Sequence, residues 1–503
     1  MEIDDRTLPL TRGQLDIWLS QEMRPTSTEW QLGLFVRIEG TVEHRHLEWA
    51  IRRVLHEAEP FRAAIFEVDG QVYQRAIDYP KFELPFFDLS CSPDPVQEAH
   101  RVALSIQRTP MSFTEPLFRF ALFQTQLDEF YLFACGHHVV IDGSGVALVS
   151  HRIASVYSAI AAGAPIPAAL FGSLQDLVDY ELEYEASKDY LEDQAYWTEN
   201  LPAESGPRHR PSQAAGKRGL DEPSAPVRLD PVVVRGVQEL SQAWGVPRSS
   251  VITAACALLL RGRCGESSEV VLDFPVSRRV HPASKTLPGM VAGVVPLVLR
   301  VSPGSTVADF CQHVDTRIRE AVRHQRFPAQ ALERQANSRS AGQPAERVIV
   351  DFFPSVLTLD FGGVAASASY TNLGLAGSFG LLFSDSADQL FLSTMGAGGP
   401  FAALDVGGVV ERLRRVLAAM VAEPERRLSS VDVLDEAERA RVDEIGHRAV
   451  LTEPVTTSVS IPVVFAAQVG RTPEAVAISC GERWWTYREL DEASNRLAHL
   501  LVA

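Results

Sequence analysis

An apolar run, Phe130-Tyr131-Leu132-Phe133-Ala134-Cys135, leads into His137-His138-Val139-Val140-Ile141-Asp142-Gly143, and this junction constrains the chain more than any other stretch. The run is short and bounded, as a buried strand is, and Gly143-Ser144-Gly145 ends it, with Ser144 able to cap the next helix. Val146 to Ala162 then carries Val149, Ile153, Val156 and Ile160 at helical spacing, until Gly163 and Pro165 stop it. Two imidazoles and a carboxylate thus sit at a strand-to-helix turn, at the lip of whatever the strand supports. That is a catalytic constellation rather than a core pattern.

The remainder of the chain narrows the setting. Its 503 residues exceed one ordinary core and point to roughly three domain-sized units. With 64 acidic against 47 basic residues the formal charge is −17, so no basic footprint exists for phosphate backbones or anionic lipid. Neither nucleic acid nor a membrane is expected as a partner. The cysteines never approach CxxC spacing and several lie in apolar runs, which suits reduced thiols in a cytoplasmic protein. The acidic start at Met1-Glu2-Ile3-Asp4-Asp5 lacks an apolar signal region, and the apolar run at 290–299 is too short to span a bilayer.

Strand-like alternation at 32–40 and helical spacing at 44–57 begin an interleaved α/β pattern. A single long acidic helix is expected from Leu174 to Leu201, followed by a Pro-, Gly- and Ser-rich crossing at 203–230 that reads as a hinge. A second α/β half follows, with a helix at 249–263 and strands at 270–275 and 294–301. Residues 461–503 read as helix, strand, turn, strand and helix, too short to hold a core alone and so the beginning of a further, truncated domain.

His137-His138 through Gly143 resembles the HHxxxDG signature of nonribosomal peptide synthetase condensation domains. Leu8-Pro9-Leu10-Thr11-Arg12-Gly13-Gln14-Leu15-Asp16-Ile17-Trp18 is similar to the family's opening motif, with Gln14 and Trp18 at matching places. Arg62 to Phe66, Arg278 after Phe274-Pro275-Val276-Ser277, Val295-Pro296-Leu297, and His324-Gln325 match further motifs in order. The resemblance implies two chloramphenicol acetyltransferase-like α/β subdomains in a V-shaped pseudo-dimer with a central substrate tunnel. The subdomains would span 1–175 and 231–445, with helix and crossing linker at 176–230 and a second linker at 446–460. Trp485-Thr486-Tyr487-Arg488-Glu489-Leu490 resembles the first motif of an adenylation domain, which assigns 461–503 to the start of one.

By this resemblance the chain forms an amide between a carrier-bound acyl or peptidyl thioester and a carrier-bound aminoacyl acceptor. No cofactor is bound directly, since substrates ride on phosphopantetheine arms. The acceptor carrier domain would lie downstream, beyond an adenylation domain in the same chain. Because the opening motif begins close to Met1, the donor carrier is expected to arrive in trans. An α-amino group with a pKa of about 7.7–8.0 is largely protonated near neutrality, so a histidine at the nucleophile has work as base or orienter. The resemblance gives that work to His138, a supporting role to His137, and a salt bridge with Arg278 to Asp142. The backbone N–H of Gly143, at a turn entering a helix, is a candidate oxyanion donor. Relatives often carry Asn where this chain has Gly293 before Val294 and Val295, and the change implies a smaller, less polar tunnel wall and an acyl donor. Asp351-Phe352-Phe353-Pro354 replaces a usually more polar segment.

Adjacent histidines on a strand point to opposite faces and no third ligand is spaced for a closed site, which argues against a metal. Epimerisation domains share the signature but normally end a module after a carrier, and heterocyclisation domains replace it with an aspartate-rich one. An ester-forming acyltransferase of the same fold, or a non-catalytic docking domain, are the remaining alternatives.

Overall fold

The computed structural model describes residues 4, 6–78, 82–202, 223–261, 269–337, 347–354, 357–374, 379–386, 389–396, 401, 404–431, 434, 436–446, 460–481 and 483–502. Two six-stranded sheets, each with its own apolar core, organise residues up to Val433; Leu434–Ala503 form a separate unit. Most of the proposed hinge, 203–222, lies outside the described residues, as does 447–459 of the second linker.

The first sheet runs, from edge to edge, Leu357–Asp360, Ala365–Asn372, Gln31–Glu39, Glu129–His137, Phe118–Gln126 and Phe86–Asp88. Glu129–His137 lies inside it, and only Ala134 of its nine residues escapes full burial, as expected of a strand covered on both faces. Helix His44–Glu57 packs its buried Leu47, Ala50, Ile51, Val54 and Leu55 into this core, at positions that share one helical face. Helix Gly143–Ala161 joins the same core through Val149, Ile153 and Val156.

The second sheet runs Gly293–Arg300, Glu269–Val276, Val348–Pro354, Phe379–Ser386, Gln389–Met395 and Val227–Arg228, with Val348–Pro354 parallel to both neighbours. Helix Arg248–Arg261 is buried from Ser250 to Leu260 because it is packed on all sides within the second core. No single helix among the described residues is long and apolar enough to cross a membrane.

The division at 231–445 needs correction. Strands Leu357–Asp360 and Ala365–Asn372 leave the second half and complete the first sheet, Ala366–Ile38 to Tyr370–Leu34 in antiparallel register. Leu287, Met290 and Val291 also belong to the first core. The two halves are therefore interleaved rather than consecutive.

The single acidic helix is likewise two, Leu174–Glu185 and Lys188–Asn200. Ser187 divides them: its hydroxyl accepts from Tyr190 N at 3.3 Å and donates to the Tyr184 carbonyl at 2.7 Å, so it starts one helix while closing the other. The pair is a strut between the cores, since Leu174 and Leu177 sit in the first and Trp197 in the second. His324 secures it. Its Nδ1 meets Asp193 at 2.6 Å, its ring stacks on Tyr196 at 4.1 Å, and its carbonyl accepts from Trp197 Nε1 at 2.9 Å.

In the separate unit, helix Ile461–Arg471 precedes a hairpin of Val476–Cys480 and Arg483–Thr486 and helix Tyr487–Val502, matching the expected order.

Candidate active site

The central strand of the first sheet delivers the histidine pair to its end. His137 is its last residue, opposite Gln31, and the His138 amide extends the pairing by donating to the Trp30 carbonyl at 2.7 Å. The chain then turns, with Val140 N bonded to the His137 carbonyl at 3.0 Å, and Val139, Val140 and Ile141 are sunk into the core. Gln14 braces this turn. Its amide donates to the Val139 carbonyl at 3.0 Å and pairs with Gln74 at 2.8 Å, while Thr11 closes a capping box with it. Trp18, from the same helix, packs partly buried against the first core. Gln14 thus supports the turn from behind.

Asp142, not Ser144, caps the following helix, and its carboxylate is fully buried. Oδ1 accepts from Gly145 N at 2.8 Å; Oδ2 accepts from Val291 N at 2.9 Å, Ala292 N at 2.8 Å and Arg279 Nη1 at 2.6 Å. Burial alone would raise its pKa, but Arg279 and these N–H groups outweigh burial and hold it below the ordinary carboxylate value. The partner is therefore Arg279, and the expected Arg278 bridge is corrected. Arg278 adopts a left-handed backbone, φ 53°, which turns the two neighbouring side chains apart. Its amide donates to Gln325 Oε1 at 2.9 Å and its Nε to the Gln325 carbonyl at 3.0 Å.

That rotation also overturns the reading of Gly293. A Cβ there would stand 2.3 Å from Arg278 Cζ and 2.4 Å from its Nε, so the missing side chain makes room for a guanidinium. A charged side chain, not a void, fills the space beside Gly293. Val295 is fully buried in the second core, and Arg62 is held by Asp78 at 3.0 Å.

The histidines differ sharply. His137 is 1% exposed and faces the edge of Phe113, 5.3 Å between ring centres. Its Nδ1 accepts from Val139 N at 3.2 Å, and burial, with the neighbouring His138, pushes its pKa down to about 3. It is a neutral packing group. His138 remains partly exposed, with its ring set edge-on to Trp30 at 5.9 Å. Burial lowers its pKa while Asp142 opposes the shift, so its imidazole is neutral near pH 7 and can accept a proton.

Sequence reasoning missed the group on the ring's other side. Gly374 has φ 70°, its N–H donates to the buried Asn372 Oδ1 at 2.8 Å, and a Cβ on it would lie 2.5 Å from His138 Cδ2. Only glycine meets both demands. The Asn-x-Gly spacing signals a turn, but nothing in it points to His138. Gly143, in contrast, lies exposed at the first turn of its helix, with open space around it.

Beside the turn lies a narrow apolar cavity of about 40 Å³. Gly136 and Ile141, which bracket the histidines, form part of its wall; Phe61, Leu132, Phe361 and Tyr370 form more of it.

Comparison with known proteins identifies this arrangement. The condensation domain family model matches residues 4–353. The chain belongs to the condensation domain family. Members of the family found in nonribosomal peptide synthetases are acyltransferase-type enzymes that form amide bonds. The chain is similar to the isonitrile lipopeptide synthase of Mycobacterium tuberculosis, 30% identical over 98% of this chain and 20% of that protein. It is also similar to a dimodular nonribosomal peptide synthase of Bacillus subtilis (26%, 99% of this chain, 21% of that protein). For enterobactin synthase component F of Escherichia coli K12 the figures are 26%, 98% and 38%. The chain thus spans between a fifth and two-fifths of these relatives' length. Among solved structures, the starter condensation domain of rhizomide synthetase, in complex with C8-CoA and Leu-SNAC, superposes with TM-score 0.75 at 27% identity. It covers 86% of this chain and 98% of its own. The first condensation domain of the calcium-dependent antibiotic synthetase, with a substrate analogue, gives 0.73 at 26%, covering 86% and 100%. The two-sheet α/β fold of this condensation domain is the one its sequence resemblance implied.

In urea denaturation, Asp142→Ala and Arg279→Ala should each cost about 3–5 kcal/mol, because each strands a buried charge. The double variant should show a coupling of about 1–3 kcal/mol, whereas Asp142→Ala with Arg278→Ala should add within about 0.5 kcal/mol. Gly374→Ala should cost only about 1–2 kcal/mol of stability through its left-handed backbone, yet lower single-turnover amide formation at least tenfold by displacing His138; an unchanged rate would refute the contact's importance.

Proposed function

We propose that this condensation domain joins an acyl thioester donor to a carrier-bound aminoacyl acceptor. The amine attacks the donor carbonyl beside His138. With Nδ1 buried, Nε2 is the nitrogen offered to the amine, and it receives the proton released as the C–N bond forms. The same proton then goes to the departing sulfur as the C–S bond breaks, so the enzyme ends unchanged. Gly143 N–H, exposed at the positive end of its helix, is the proposed donor to the oxyanion. His137 and Asp142 act through the backbone that holds His138.

The apolar cavity carries the choice of donor. A charged or peptide-like donor would leave its polar groups without partners among Phe61, Leu132, Ile141 and Phe361, whereas an aliphatic chain loses only water. The rhizomide neighbour, solved with C8-CoA, supports this reading.

Phosphopantetheine arms of carrier proteins are the proposed vehicles for both substrates. Residues 461–503 are proposed to belong to an adenylation domain. Exposure of Ile461, Trp484 and Leu500 supports their being part of a larger body.

A series of acyl-carrier donors tests the proposal. Each methylene that enters the cavity is worth about 0.8 kcal/mol, so kcat/KM should rise roughly fourfold per methylene until the cavity fills, and an acyl donor should beat a dipeptidyl donor at least tenfold. Preference for the dipeptidyl donor would reject the acyl reading.

A further inference from the structure

Strand Val348–Pro354 runs inside the second sheet, and its residues divide by alternation. Val348, Val350 and Phe352 pack on the second core; Ile349, Asp351 and Phe353 take the opposite face. That face looks toward the first half, because Phe353 meets Tyr370 of the first sheet edge-to-face at 6.0 Å. Tyr370 in turn lines the apolar cavity and lies within electrostatic reach of both Asp142 and Asp351. Asp351 thus shares a strand face with Phe353, whose ring meets a residue lining the cavity beside the histidine turn.

Asp351 is half-buried on that face. Burial pushes its pKa up to about 6, opposed only by the N–H of Phe352, and no cation is placed against it among the described residues. Every other strongly buried carboxylate of this region has one: Asp142 has Arg279, and Asp273 has Arg347 at 3.2 Å. A half-buried carboxylate with no counter-ion among the described residues, on the face that carries Phe353, has the makings of an ammonium site: charge for charge, with aromatic rings nearby that tolerate the cation.

We propose that Asp351, with Phe353 and Tyr370, binds an ammonium group of the aminoacyl acceptor and so sets acceptor affinity and choice. This rests on the reading of an aminoacyl acceptor given above. The ammonium comes either from the α-amino group, which releases one proton to solvent before the neutral amine attacks beside His138, or from a basic side chain.

Lysyl and norleucyl N-acetylcysteamine thioesters separate the two sources, since norleucine keeps the chain and lacks the second amine. In the full chain, Asp351→Asn removes the charge at nearly constant shape, and Asp351→Ala serves as a second variant. Acceptor KM should rise at least tenfold while donor KM stays within twofold. A rise for both thioesters assigns the α-ammonium, and a rise for the lysyl thioester alone assigns the side chain. Calorimetric binding of the same thioesters should weaken in parallel, and it reads the site without turnover. Wild-type protein that binds them but makes no amide would sink the amide-forming reading and leave the site standing. Acceptor KM and binding within twofold of wild type in both variants, for both thioesters, would overturn the proposal.

Discussion

One buried ion pair holds the site together. Asp142 starts the helix after the histidine turn, and its other oxygen reaches Arg279, Val291 and Ala292 from the far half of the sequence. Arg279 also donates to the carbonyls of Leu287 and Gly289 at 3.0 and 3.1 Å. Segment 279–292 is thereby laid on the first core, where Leu287, Met290 and Val291 are among the buried residues. Four hydrogen bonds to one carboxylate offset a desolvation cost that a lone ion could not bear.

The position of His138 follows from that anchoring on three sides. Behind it, the strand pairing to Trp30 fixes the backbone, and Gln14 fixes the turn through Val139. In front, the strand that crosses from the second half brings Gly374 against the ring. A side chain so constrained loses little entropy on reaching the reactive geometry, which is how a single imidazole becomes useful for orienting an amine. The crossing strand also supplies Tyr370, which lines the apolar cavity and meets Phe353 of strand Val348–Pro354. The proposed donor and acceptor sites thus share one element.

Much of this was legible in the residues. The strand, turn and helix around the histidines appear nearly where spacing places them, at Glu129–His137 and Gly143–Ala161, because burial and capping are local signals. What was hidden is long-range. Arg278 and Arg279 are adjacent and chemically alike, and only the left-handed backbone of Arg278 decides which of them turns toward Asp142. Gly293 read as a loss of polarity because the guanidinium that fills its space is remote in the pattern, though near in sequence. The crossing of 357–372 into the first sheet could not be read from alternation, which shows a strand but not its neighbour. Ser187, by contrast, was a visible cap residue inside what looked like one long helix.

The central claim is that Asp142 is scaffold while His138 meets the substrates. It is tested most directly by the single-turnover rate of amide formation in a charge-free pair, Asp142→Asn with Arg279→Met, beside His138→Ala, each confirmed folded by its denaturation curve. The account predicts that the paired variant keeps a rate within about tenfold of wild type, while His138→Ala loses at least a hundredfold, in the range typical of a lost acid–base group. A folded paired variant as inactive as His138→Ala would contradict it.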